Sequence, residues 1–142
     1  MDAQATAGKV RDAMLADDAA SKMLGMQITE VAPGRAVVTM AVRADMLNGF
    51  AICHGGLIAT LADSAFAFAC NSRNALTVAS GFGIDLLKSA KLGDVLTAMA
   101  EETSLAGRTG LYDVTVKNQD GDLIAMFRGR SYRLGERKVF EA

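Results

Sequence analysis

The chain has 142 residues, enough for one domain with a substantial core and too few for two. Hydrophobic residues make up 51% of it, an excess over what a monomer of this size requires, and that excess points to subunit contacts. Fifteen basic against sixteen acidic side chains leave a net charge of −1, which excludes long-range attraction to nucleic acid or to an anionic membrane.

The amino terminus, MDAQATAGKV, lacks the basic-then-apolar order of a signal peptide, and the later apolar stretches are broken too often to span a bilayer. A cytoplasmic protein without membrane contact is expected. From about Ala5 to Leu24, the residues Val10, Met14, Leu15, Met23 and Leu24 recur at loosely helical spacing among charges, predicting a surface helix with room for a break. At Pro33-Gly34 the period changes: Ala36, Val38, Met40 and Val42 alternate with Val37, Thr39 and Ala41, as in a hairpin strand apolar on both faces. A loop, RADMLNG, leads to the strongest helical stretch, from about Cys53 to Cys70, rich in alanine and leucine and apolar almost all round. Such a helix belongs at the centre.

Beyond Asn71 four strands follow, joined by AKLG, AGR and NQDGD, with Asp120-Gly121 as a hairpin signal. Short links of this kind favour a largely antiparallel sheet wrapped around one helix, an α+β architecture. With no repeat or linker in view, residues 1–142 are read as one folding unit. Cys53 and Cys70, if the segment between them is helical, lie about 25 Å apart along its axis. They are read as reduced thiols, not as a disulfide.

The central helix holds one acid, Asp63, and the chain's one histidine, His54, precedes it by nine residues. Nine residues make two and a half turns, which sets the two on opposite sides and separates them by about 13.5 Å. Within one chain they cannot share a reaction centre. Either they are unrelated, or one site takes His54 from one subunit and Asp63 from another across a two-fold axis.

The ordered set Asn48, His54, Gly55, Gly56 and Asp63, spaced N-x5-HGG-x7-D, resembles the hotdog-fold acyl-CoA thioesterases, and more narrowly the phenylacetic acid degradation (PaaI) family. The likeness continues through VASGFGIDLLKSAKLGD and SLAGRTGLYDVTVKNQDGDLIAMFRGRSYR. It implies a hotdog fold with an extra amino-terminal helix, and a homodimer at minimum, usually paired into a homotetramer. The active site of such proteins lies at the dimer interface, with the aspartate and the asparagine-histidine-glycine group supplied by different chains. By position, Asp63 becomes the general base for water or the nucleophile on the thioester carbonyl. Gly55, at a helix start, offers its N–H to the developing oxyanion. Asn48 orients water or the histidine, His54 holds the loop and assists polarisation, and Ser80 supplies a polar group near the carboxylate.

The resemblance also implies coenzyme A as part of the substrate, with no further cofactor required. Basic residues near the ends of the later strands are expected on its phosphates: Arg108 in the Gly107-Arg108 pair, with Arg128, Arg130 and Lys91 as further candidates. Phe66, Phe68, Phe82 and Met126 are expected to shape the acyl pocket, for phenylacetyl or ring-hydroxylated phenylacetyl groups. One departure from the family is that LLKSAKLG has no proline near the ligand mouth, where many relatives do.

Other chemistries lack their signatures. No GxSxG elbow or Walker sequence occurs, SGFGIDLL lacks the third glycine of a dinucleotide fingerprint, and one histidine with two separated cysteines makes no metal cluster. Two alternatives stand beside hydrolysis: a non-catalytic acyl-CoA-binding hotdog protein and a hotdog hydratase or dehydratase.

Overall fold

The computed structural model describes residues 1–141. Two helices open the chain, α1 (Ala3–Asp17) and α2 (Ala19–Met23). The break falls at Asp18, whose carboxylate accepts the Ser21 amide at 3.0 Å and starts α2, as Asp2 starts α1 by accepting from the Ala5 amide at 2.7 Å.

The hairpin of β1 (Gln27–Ala32) and β2 (Arg35–Ala41) turns at Pro33-Gly34, with Gly34 at φ 73°, a conformation that costs glycine little. The central helix α3 (Gly55–Cys70) begins two residues later than its composition suggests. Cys53 is held extended by a bridge to Leu47, and His54 keeps an extended ψ of 129° as the residue before the first turn. The strands β3 (Thr77–Leu86), β4 (Val95–Ala106), β5 (Thr109–Lys117) and β6 (Leu123–Arg133) complete the chain.

All six strands form one sheet in the order β1-β2-β4-β5-β6-β3, with every pairing antiparallel. Its inner face presents small and medium apolar residues, Ala36 and Val38, Ala98 and Ala100, Val114 and Val116, which let α3 approach closely. The helix answers with Ile58, Leu61, Ala62, Ala65, Phe66 and Ala69, all buried. Each large side chain buried this way stabilises the fold by about 1.5–3 kcal/mol. The opposite side of α3, where Gly56 and Asp63 stand, is less covered than an all-round apolar helix predicts.

Phe66 shows how tight the contact is. Its ring lies 5.5 Å from that of Tyr112 and 5.9 Å from that of Phe127, over Gly129. A Cβ at Gly129 would meet three Phe66 ring carbons at 2.8–2.9 Å. Gly129→Ala should therefore destabilise the protein by about 1–3 kcal/mol through overpacking, read as a lower denaturant midpoint at unchanged slope.

The sheet's two edges differ. Along β1, α1 packs down, with Gln4 Nε2 donating to the Val31 carbonyl at 2.7 Å. The ten-residue β3 edge is open and carries Val78, Phe82 and Leu86 at 43%, 50% and 52% exposure. A long apolar edge of this kind is a template for pairing with another strand. The outer sheet face is less apolar than the sequence pattern implies. Buried Val37 and exposed Met126 share it with the ion pairs Arg35–Glu101 and Arg128–Asp113. Among the described residues no helix is long and apolar enough to cross a membrane, and Cys53 and Cys70 are free thiols.

Candidate active site

The start of α3 is set by a tightly bonded loop. Asn48 Oδ1 accepts the amides of Phe50 at 2.9 Å and Ile52 at 3.4 Å, so the side chain closes a turn that Ala51 completes at φ 62°. The His54 amide donates to the Met46 carbonyl at 2.9 Å, and the Cys53 amide to Ala90 at 2.8 Å. These bonds dock the loop on the connection after β3. They also open a cleft of about 270 Å³ lined by Asn48, Cys53, Gly55, Leu86, Lys88 and Ala90.

Gly55 stands at the floor of this cleft. As the first residue of α3 its N–H has no intrahelical acceptor, and the helix field there is positive. A Cβ at this position would come within 2.5 Å of Leu86 Cδ1. That atom is the end of a flexible, exposed side chain, so a larger residue here would displace Leu86 and narrow the cleft. With Asn48 Oδ1 occupied, the amide nitrogen is the group Asn48 has to offer a ligand. His54 is exposed, and its side chain makes no cap bond to the helix; it is the backbone of His54, not the imidazole, that holds the loop.

Asp63 lies elsewhere. It lines a different cavity, of about 340 Å³, walled mainly by apolar groups that include Met14, Phe66, Ala67, Leu76 and Val78. The carboxylate is half-buried, and this burial, reinforced by the negative charge of Asp18, raises its pKa above the usual carboxylate range. If Asp63 must be ionised to act, activity falls with decreasing pH at a higher pH than for an ordinary aspartate. Asp18→Asn, which keeps a good cap for α2, should move the acid limb of the kcat/KM profile to lower pH.

Of the residues expected to act together, one chain thus joins Asn48 to Gly55 and leaves Asp63 apart. Ser80 lines neither cavity; it sits at the β3 bulge and donates to the Arg130 carbonyl at 3.2 Å. Thr77 is the hydroxyl residue that shares the Asp63 cavity. Asn71, which the sequence reading missed, fixes this wall: Oδ1 accepts the Thr77 amide at 2.9 Å while Nδ2 donates to the Thr77 carbonyl at 3.0 Å. Its signal was available, an asparagine just after a helical run.

The basic candidates occupy separate places. Arg128 is paired with Asp113 at 2.7 Å, and Arg130 lies against Gly81, both on the outer sheet face. Lys91 follows the cleft residue Ala90, with its amide bonded to Asp94 Oδ2 at 2.9 Å. Arg108 lines a third cavity beneath the β4–β5 hairpin. Lys88, absent from the sequence reading, lines the Gly55 cleft and pairs with Asp122 at 2.7 Å.

The expected acyl-pocket set needs correction as well. Phe66 lines the Asp63 cavity, but Phe68, two residues on and so on the far side of the helix, is buried in the core. Phe82 stacks on Phe127 at 4.8 Å, and Met126 points away from the core at 46% exposure. Among the described residues no three His, Cys, Asp or Glu side chains are placed to hold a metal ion.

Residues 50–125, from the loop before α3 to β6, match the model of the thioesterase superfamily. The chain belongs to the thioesterase superfamily. Within it, the chain is 48% identical to the acyl-coenzyme A thioesterase PaaI of Escherichia coli over 123 residues, covering 87% of this chain and 88% of that one. The structure of the E. coli PaaI protein from the phenylacetic acid degradation operon superposes with a TM-score of 0.94 at 44% identity, covering 96% of this chain and 99% of the other. The antiparallel sheet around α3 is accordingly the hotdog fold. The structure of smu.793 from Streptococcus mutans, bound to acetyl CoA, has a TM-score of 0.76 at 31% identity, over 80% of this chain and 91% of that one.

Proposed function

We propose that the protein is an acyl-CoA thioesterase hydrolysing phenylacetyl-CoA and ring-hydroxylated phenylacetyl-CoA, linked to phenylacetic acid degradation. The 48% identity to E. coli PaaI carries this reading. The apolar cavity beside Asp63, with Phe66 in its wall, suits an aromatic acyl group.

The site forms when two copies pair along β3. An antiparallel dyad at Phe82 sets Val78 opposite Leu86 of the second copy, since each lies four residues from the axis. Val78 lines the Asp63 cavity and Leu86 lines the Gly55 cleft, so each Asp63 cavity meets the other chain's cleft. The exposed apolar residues of β3 are buried in the same act. Pairing of two such dimers through the outer sheet face, around Val37 and Met126, gives the tetramer expected of the family.

In this site the Gly55 N–H and the field of α3 polarise the thioester oxygen, and Asn48 Nδ2 orients the attacking water. Asp63, made more basic by burial, takes a proton from that water as its oxygen bonds to the carbonyl carbon. The tetrahedral oxyanion then collapses and breaks the C–S bond, and the proton held by Asp63 passes to the departing thiolate, which releases coenzyme A and the free acid and restores the carboxylate. No cofactor enters beyond the coenzyme A of the substrate. Lys88 lines the cleft, Lys91 follows its wall residue Ala90, and both stand with Arg128, Arg130 and Arg108 as phosphate partners to be tested. One hotdog domain and a cytoplasmic setting, where Cys53 and Cys70 stay reduced, complete the reading.

Release of coenzyme A from phenylacetyl-CoA and 3-hydroxyphenylacetyl-CoA by the purified protein tests it. Saturable turnover of both is expected; saturable binding without turnover would make the protein an acyl-CoA-binding member of the fold.

A further inference from the structure

Residues 134–140, after β6, form no helix or strand, yet they are tied to the connection between α3 and β3. The Leu134 amide donates to the Leu76 carbonyl at 2.8 Å, and the Leu76 amide donates to the Arg137 carbonyl at 2.9 Å. Asn74 adds a clamp. Its Oδ1 accepts the amides of Val139 and Phe140, each at 3.0 Å, and its Nδ2 donates to the Phe140 carbonyl at 3.0 Å. Three bonds from one side chain thus fix two consecutive residues, and Asn74 itself holds φ 63°, a conformation that asparagine tolerates better than most residues.

What the clamp positions is Val139, which lines the Asp63 cavity together with Phe66, Leu76 and Val78. Asn74 follows Cys70, the last residue of α3, by four positions, and Cys70 stands about 10.5 Å along the helix from Asp63. Val139 therefore enters the cavity at the end remote from the carboxylate. Among the described residues Asp63 is the one charged group in that wall, and burial pushes the pKa of the Cys70 thiol up to about 12, so the remote end is uncharged. Residue 139 also lies outside the span 50–125 that matches the superfamily, so this part of the wall comes from a segment beyond the matched core. We propose that Val139, held by Asn74, closes the far end of the acyl cavity and limits the length of the acyl group that the enzyme accepts. This rests on the thioesterase reading and adds to it a residue that sets specificity.

The test compares phenylacetyl-CoA with 4-phenylbutyryl-CoA, which is two methylenes longer and equally uncharged in its acyl group. Val139→Ala should raise the kcat/KM ratio of the longer to the shorter substrate about 10-fold, and Val139→Phe should lower it about 10-fold. Asn74→Gly, which keeps the left-handed backbone and removes all three bonds, should move the ratio as Val139→Ala does. Asn74→Asp, which keeps the acceptor for both amides, should stay closer to wild type. A ratio that stays within about twofold of wild type, or moves the other way, in either Val139 variant would make the segment structural only and overturn the inference, whatever the absolute rates do. Should turnover be absent, calorimetric Kd values for the same two acyl-CoAs take its place. A shifted Kd ratio then removes only the thioesterase reading, whereas an unchanged one removes the inference as well.

Discussion

Asp63→Asn should lower kcat by about 10²- to 10⁴-fold while leaving the protein at least as stable as wild type at pH 7. The two halves of this expectation share one cause. Burial, and then the charge of Asp18, raises the folded-state pKa of Asp63 above its unfolded value. A group raised in this way contributes stability below the unfolded pKa, about 3.9 for aspartate, and loses that contribution as pH rises through the folded pKa. At neutral pH the ionised carboxylate is therefore a net cost to the fold, which asparagine removes. Below about pH 4, where the acid is protonated in both states, the advantage of the variant should vanish. Denaturant midpoints at pH 7 and pH 4, measured beside turnover, check both halves. A variant that turns over normally and is less stable at pH 7 would make Asp63 a structural acid.

Gly83→Lys should abolish activity by separating subunits, without unfolding the chain. Gly83 lies on the exposed edge strand one residue from the proposed dyad, and a Cβ there meets nothing within 4 Å. The single chain thus has room for the lysine. In the pair, the new charge stands close to its own copy across the dyad, one residue from the axis on each strand. Like charges across a strand pair oppose association, the means by which natural edge strands avoid pairing. Sedimentation should show a species of half the mass, with an unchanged far-ultraviolet spectrum and turnover reduced in proportion to the dimer lost. An active monomer would contradict the two-chain site.

Much of this was legible in the residues. The nine residues between His54 and Asp63 set the two apart within one chain, and in the structure Asn48 and Gly55 line one cavity while Asp63 lines another. Alternation along Tyr112, Val114 and Val116 gave β5, and Asp120-Gly121 gave its turn. What escaped depends on three-dimensional register. Phe68 and Phe66 look equivalent in an apolar run and both are buried, yet two residues of helix leave only Phe66 bordering the Asp63 cavity. Lys88 is a strand-end lysine until the bond from Cys53 to Ala90 brings its segment to the Gly55 cleft. The arginines at 73, 108 and 133 come from three separate segments, and no local pattern announces that they face one space.

In the proposed dimer each active centre takes Asp63 from one chain and Asn48 with Gly55 from the other. Mixing two inactive variants, Asp63→Asn and Asn48→Ala, under conditions that exchange subunits tests it most directly. A mixed dimer holds one centre with both defects and one with neither. Random exchange makes about half of the dimers mixed, so turnover should rise to about a quarter of wild type from two preparations that are each inactive. Turnover that stays at the sum of the two parents, with exchange confirmed by native mass, would place the whole centre within a single chain and rule out the two-chain site.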